Sequence, residues 1–179
     1  MDRQGISPCE DLAERYQALL EVAQAISAQR DLDQLFRDLA HRLPRVVQVN
    51  FVDLSLYDPI KKLMRLHTIQ ANVPADLVGG HEGPVEESPA GLVWQTQQPV
   101  LVPNIAQEQR WPKVTQRMQE DGVNSFCFVP LTTARGRLGA MGFLSLQREA
   151  YSDSDVEFLQ QVAKQVAVTV ENALACQQI

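Results

Sequence analysis

The sequence predicts an α+β domain: a central antiparallel sheet of five to six strands, terminal helices packed on one face, and loops and short helices covering a pocket on the other. Three observations carry this. Both ends hold apolar residues at intervals of three and four, from Leu12 to Ile26 and from Val156 to Leu174, the spacing of helices with one buried face. Between them lie short segments with a period of two, as in strands. Several of these strands are joined by short links, so they pair as antiparallel neighbours and leave the end helices to lie together on the oily face.

The elements follow in order. After a flexible segment over residues 1–11, Leu12, Tyr16, Leu19, Leu20, Ala23 and Ile26 share one face of a first helix. Asp31 and Gln34 resemble a capping box at the start of a second. That helix carries Leu32, Leu35, Phe36, Leu39, Leu43, Val46 and Val47, with Pro44 set to kink it or end it early. After Asn50, Val52, Leu54 and Leu56 alternate with Phe51, Asp53 and Ser55, a strand with one oily and one mixed face. Asp58-Pro59 and Ile60 to Lys62 turn the chain into a second strand, Leu63 to Ile69, completing a hairpin. Val73 to Pro89 holds Pro74, Gly79, Gly80, Gly83, Pro84 and Pro89 among several acids and is read as one long loop, a candidate lid.

Ala90 to Gln97 has room for two helical turns, Val100 to Pro103 for a short strand, and Trp111 to Glu120 for a helix begun by Pro112. Strands Ser125 to Leu131 and Arg137 to Gln147 meet at a turn near Ala134-Arg135-Gly136. The last helix, residues 152–179, starts at Ser152 or Asp153, either of which can cap it, and Asp153, Asp155 and Glu157 suit its positive end. No Gly or Pro follows Leu174 to stop it. Residues 12–179 are therefore read as a single domain whose final helix continues into an output domain absent from this chain.

Composition excludes several function classes. The chain has 179 residues, 45% hydrophobic and 21% charged, enough for one core. Its 16 Lys+Arg against 22 Asp+Glu give a formal charge of −6 without a basic cluster, so direct nucleic-acid binding is not expected. No apolar run approaches the roughly 20 residues that span a bilayer. Met1 to Glu10 lacks the basic start and apolar centre of a secretion signal. The expected location is cytoplasmic, away from membranes. Cys9, Cys127 and Cys176 are odd in number and far apart, which suits reduced thiols rather than a disulfide framework or a zinc site. There is no GxxxxGK[ST] loop for nucleotide hydrolysis.

Several local motifs remain. Gln98-Pro99-Val100-Leu101-Val102-Pro103-Asn104, Arg110-Trp111, Val129-Pro130-Leu131 and Leu138-Gly139-Ala140-Met141-Gly142 follow one another in an order that resembles the GAF domain over residues 12–179. Pro99 and Pro103 bracket a short edge strand, and Gly139 and Gly142 are expected to let the cover approach the sheet closely. The tail from Tyr151-Ser152-Asp153 through Asn172-Ala173-Leu174-Ala175 is similar to the sensor module of sigma-54-dependent transcriptional activators related to the formate-hydrogenlyase activator. The resemblance implies a small-molecule-sensing, non-enzymatic input domain, with an AAA+ ATPase and a helix-turn-helix elsewhere in the protein. A GAF module of a sensor histidine kinase, or a ligand-free structural dimerisation module, stays open. The stripes on the terminal helices predict a homodimer through a helical bundle.

Other branches of the family carry chemistry that these residues do not match. A thiol relay needs a second thiol within reach of Cys127, a bilin needs a cysteine in residues 73–122, and the Asn-Lys-Phe-Asp-Glu signature of cyclic-nucleotide binders is not traceable. No cofactor is expected. His41, His67 and His81 are scattered without metal-ligand spacing, so no metal is expected either.

Alternation places Phe51, Asp53 and Ser55 on the pocket face. Met141, Phe143 and Ser145 join them there unless a bulge at Gly139 or Gly142 reverses the later strand. Trp94, Ile105 and Trp111 form the cover, and His81 lies in the lid. Phe126 and Phe128 point to one common side, which is left open. For the aromatic residues, plain core packing is favoured over lining a pocket. Asp53 stands where a central strand would carry an apolar residue, and a buried carboxylate is costly unless paired. It either hydrogen-bonds a ligand or finds a backbone or Arg partner. Few cations in the inferred pocket favour an unidentified neutral or weakly polar small molecule over a phosphate-bearing one.

Overall fold

A computed structural model describes residues 13–15, 17, 32–70 and 78–177. Residues 1–11, most of the expected first helix, Asp31 and residues 73–77 of the expected loop lie outside the described residues. Helix α1 (Leu32–Arg42) gives way at Pro44 to one 3-10 turn, Leu43–Arg45, because a proline ring cannot donate the next helical hydrogen bond. Strands β1 (Phe51–Asp58) and β2 (Leu63–Gln70) form the hairpin. Asp58 holds its turn: Oδ1 accepts from the backbone N–H of Ile60 at 2.9 Å and of Lys61 at 3.0 Å.

The reading of residues 73–89 as one long loop is corrected by β3 (Val78–Pro84), which pairs antiparallel with β2. Its glycines and terminal proline suggested a loop, but at a sheet edge they are tolerated and pairing with β2 overrides local preference. His81 is therefore a strand residue. A 3-10 turn, Val85–Glu87, leads to α2 (Pro89–Thr96), which starts where Ser88 Oγ accepts from the Gly91 N–H at 3.0 Å. It stops at Gln97 in the left-handed region, φ 59°. Then follow β4 (Val100–Val102), a 3-10 turn Ile105–Gln107, α3 (Pro112–Glu120), β5 (Ser125–Thr132), β6 (Arg137–Ser145) and α4 (Asp153–Gln177).

The six strands form one sheet in the order β3-β2-β1-β6-β5-β4, all neighbours antiparallel. The β1–β6 ladder runs without a bulge, setting Phe51 opposite Leu144, Asp53 opposite Gly142 and Ser55 opposite Ala140. Alternation then divides the core into two layers. Val52, Leu54, Cys127, Val129, Met141 and Phe143 pack against Leu35, Leu39 and Leu43 of the α1 segment and Leu159, Val162, Val166 and Val170 of α4. Phe126, Phe128, Ala140 and Leu144 face the other way, beneath Val93, Ile105, Trp111 and Met118.

Helix α4 begins in a reciprocal cap. The Ser152 N–H donates to Asp155 Oδ2 at 2.8 Å, and the Asp155 N–H donates to Ser152 Oγ at 3.2 Å. The other Asp155 oxygen accepts from Arg15, and both side chains are buried. Removing one member of such a pair typically costs about 3–5 kcal/mol because a bare charge stays buried. The pair thus ties an N-terminal helical turn to the start of the last helix.

Gly139 and Gly142 are explained by neighbouring strands, not by the cover segments. A Cβ on Gly139 would lie 1.9 Å from the Ser55 carbonyl oxygen, and one on Gly142 would lie 2.5 Å from the Phe128 ring. Gly139→Ala is therefore expected to lower stability in urea denaturation by about 1–3 kcal/mol. Gly136→Ala, which meets nothing within 4 Å, should stay within about 0.5 kcal/mol of wild type. Equal effects of the two substitutions would contradict this packing.

Candidate functional site

The layer between sheet and cover does not close completely. A cavity of about 490 Å³ remains over β1, β2 and β3, roofed by the start of α2 and by α3. Its floor is built by strand alternation: Phe51, Asp53 and Ser55 from β1, Met64, Leu66 and Thr68 from β2, and His81 and Gly83 from β3. Pro89 and Ala90 come from α2, while Val114 and Met118 come from the inner side of α3 and Arg117 from its exposed rim. Phe128 and Leu144 close the inner wall. The size falls within the range of small-molecule pockets.

Asp53 is the chemical centre. It is 3% exposed and lines the cavity. The hairpin register sets Thr68 directly opposite, and Thr68 Oγ1 donates to Asp53 Oδ1 at 2.7 Å. That bond favours the ionised carboxylate, but loss of water outweighs it, and the charge of Asp121 acts in the same sense as burial. The carboxyl is pushed up to about 7. Ser55, two residues along the same face, is also 3% exposed. Charges at the rim are mostly spoken for: Lys113 Nζ lies 3.6 Å from Glu87, and Glu82 is held by Lys61 and Arg65, each at 3.1 Å. Such exposed pairs contribute little stability.

The structure brings Phe51, Asp53, Ser55 and His81 to the cavity and places the other expected residues elsewhere. Met141 and Phe143 are fully buried on the helix side of the sheet. Without a bulge in the β1–β6 ladder, it is the small Ala140 and Gly142 that share Asp53's face. Trp94 stacks on Tyr57, ring centroids 4.0 Å apart, and donates Nε1–H to the Arg137 carbonyl at 3.2 Å. Ile105 and Trp111 are core residues of the cover; the Trp111 ring lies 6.5 Å from Phe126 and carries the Arg110 guanidinium at 4.3 Å. Sequence reading missed Thr68, Met64, Leu66, Arg117, Met118 and Leu144. Thr68 was recoverable, since an even hairpin that pairs Asp58 with Leu63 must pair Asp53 with Thr68.

Chemistry outside the cavity is limited. Cys127 is buried on the helix side with its thiol pushed up to about 12 by desolvation, while Cys176 is exposed on α4. Among the described residues, no group of three His, Cys, Asp or Glu side chains is arranged to hold a metal, and no helix is long and apolar enough to cross a membrane.

A raised folded-state pKa makes Asp53 a source of pH-dependent instability. Well below pH 4 it is protonated both folded and unfolded. As pH rises toward 7 only the unfolded chain loses the proton, so stability falls and the penalty is complete above about 7. Asp53→Asn removes this term. In urea denaturation the variant's advantage should be smallest near pH 3 and reach roughly 2–4 kcal/mol more at pH 8. A difference independent of pH would contradict the assignment.

Comparison with known proteins places this geometry in a family. The family model described as "GAF domain" matches residues 29–171. The formate hydrogenlyase transcriptional activator of Salmonella typhimurium is 20% identical over 174 residues, 93% of this chain and 24% of that protein. The Nif-specific regulatory protein of Herbaspirillum seropedicae is 28% identical over 156 residues, 85% of this chain and 28% of that protein. The chain thus spans about a quarter of the length of these relatives. Among solved structures, the GAF domain of an Acinetobacter phosphoenolpyruvate-protein phosphotransferase superposes with a TM-score of 0.75 at 20% identity, covering 93% of this chain and 98% of that one. With the family model covering most of its length, the chain belongs to the GAF domain family.

Proposed function

We propose that this chain is the signal-input domain of a sigma-54-dependent transcriptional regulator, working by binding a small molecule rather than by turnover. The observation that carries the reading is the cavity of about 490 Å³ whose floor presents buried Asp53 and Ser55. A purely structural dimerisation module would fill this layer with its own side chains; here Trp94 and Trp111 pack beside the space instead. Similarity over most of the chain to two bacterial regulators supports the regulatory setting. The AAA+ ATPase and helix-turn-helix that the resemblance implies would then receive the signal.

A route from cover to output helix is built from two short hydrogen bonds. Gln97, which ends α2, accepts from Thr132 Oγ1 at 2.6 Å. The next residue, Thr133, donates to Glu171 of α4 at 2.6 Å. A ligand that shifts α2 therefore acts on residues one peptide from a contact with α4, provided it binds one arrangement better than the other. Dimerisation through the terminal helices is part of the proposal; Val168 on α4 is 51% exposed despite its apolar side chain.

Ligand-observed NMR of small metabolites against the purified chain tests the reading. Wild type should bind at least one compound, and Ala90→Trp, which fills the cavity from α2, should lose it while keeping its circular dichroism spectrum. Binding unaffected by the substitution, or no binding by wild type, would overturn the proposal.

A further inference from the structure

The acid on the cavity floor has no positive partner among the described residues. Asp53 Oδ1 accepts from Thr68, whereas Oδ2 has no hydrogen-bond partner among the described residues. The Ser55 hydroxyl, buried on the same face, likewise makes no hydrogen bond among them. The cations that line the space stand at its rim: Lys113 is paired with Glu87 and largely exposed, and Arg117, one turn along α3, is exposed. None forms an ion pair with Asp53, and the charge that acts on Asp53 is that of Asp121, of its own sign.

Each class of ligand meets this floor differently. A carboxylate or phosphate placed against Asp53 would add a like charge in a site shielded from water, where repulsion is strong. An alcohol can donate one hydrogen bond but leaves the charge unbalanced. A metal ion would need several oxygen or nitrogen ligands, yet among the described residues no group of three His, Cys, Asp or Glu side chains is arranged to hold one. An ammonium group supplies three donors, needs no donor in return and matches two acceptors on one strand face. The apolar walls suit the hydrocarbon attached to it.

We propose that the cavity takes a small primary amine, its ammonium group seated between Asp53 Oδ2 and the Ser55 hydroxyl and its carbon chain lying against Met64, Leu66 and Leu144. This rests on the reading of the cavity as a ligand site and names the ligand class. It also revises the expectation of a neutral or weakly polar molecule, which considered the scarcity of cations and not the bare carboxylate.

The test compares one four-carbon chain with three heads: 1-butylamine, 1-butanol and butyrate, titrated into ¹⁵N-labelled protein at pH 8. Butylamine should shift the backbone amides around residues 53–55 and 68 in a saturable way, at least ten-fold more tightly than butanol or butyrate. Asp53→Asn should weaken butylamine at least ten-fold and leave butanol unchanged, and Ser55→Ala should weaken butylamine several-fold. Butanol or butyrate binding there as tightly as butylamine, or full amine affinity in Asp53→Asn, would overturn the amine assignment and leave the cavity as a ligand site. Absence of saturable shifts with all three probes would overturn both.

Discussion

The bulge-free pairing of β1 with β6 is the constraint on which the rest of the molecule depends. It joins the first strand to the last, so closing it requires the whole intervening chain to be arranged around the ladder. Once it forms, strand parity fixes every inward residue: Val52 and Leu54 meet Phe143 and Met141 under α4, and Asp53 and Ser55 meet Gly142 and Ala140 under the cover. Opposite Asp53 and Ser55, β6 therefore offers only the small Gly142 and Ala140, while Phe143 and Met141 go to the helix layer. That asymmetry leaves space above β1. Phe128 occupies part of it, lying against Gly142, and the remainder is the cavity.

The helix layer is well packed and anchored at its start. Leu159, Val162, Val166 and Val170 of α4 are fully buried against the sheet, each contributing roughly 1.5–3 kcal/mol through lost apolar exposure. Asp155 joins cap and ion pair in one side chain, so the entry of α4 and the Arg15 turn are positioned together. The cover is different in kind. Its helices are short, and α2 and α3 reach the sheet through Val93 and Met118 while leaving the space over Asp53 open. A well-packed layer beneath and an incomplete one above fit the proposal of a domain that accepts a ligand on one side and communicates on the other.

Much of this was legible in the sequence, and the failures have physical causes. Pro44, the Asp58 turn and the period of α4 act locally, so their effects could be read from neighbouring residues. Strand β3 could not: Gly79, Gly80, Gly83 and Pro84 have no strand preference of their own and are held by β2. The phase of β6 was ambiguous because both of its faces are buried, which removes the contrast between oily and polar positions. The small residues Ala140 and Gly142 were the available clue. Asp53 was recognisable as an acid out of place, but its partner Thr68 needed the hairpin register and its nearness to Asp121 needed the folded chain.

In the proposed reading, Asp53 ties stability to ligand binding. A carboxyl buried without a counter-charge among the described residues weakens the empty fold at neutral pH, and strongly perturbed acids in clefts cluster at binding and catalytic sites. The most direct measurement is a ¹³C NMR titration of the Asp53 side-chain carboxyl in ligand-free protein. The account predicts a midpoint near 7. A midpoint near 4, where unperturbed aspartates titrate, would mean that the carboxylate is already compensated in the empty cavity and would contradict the account.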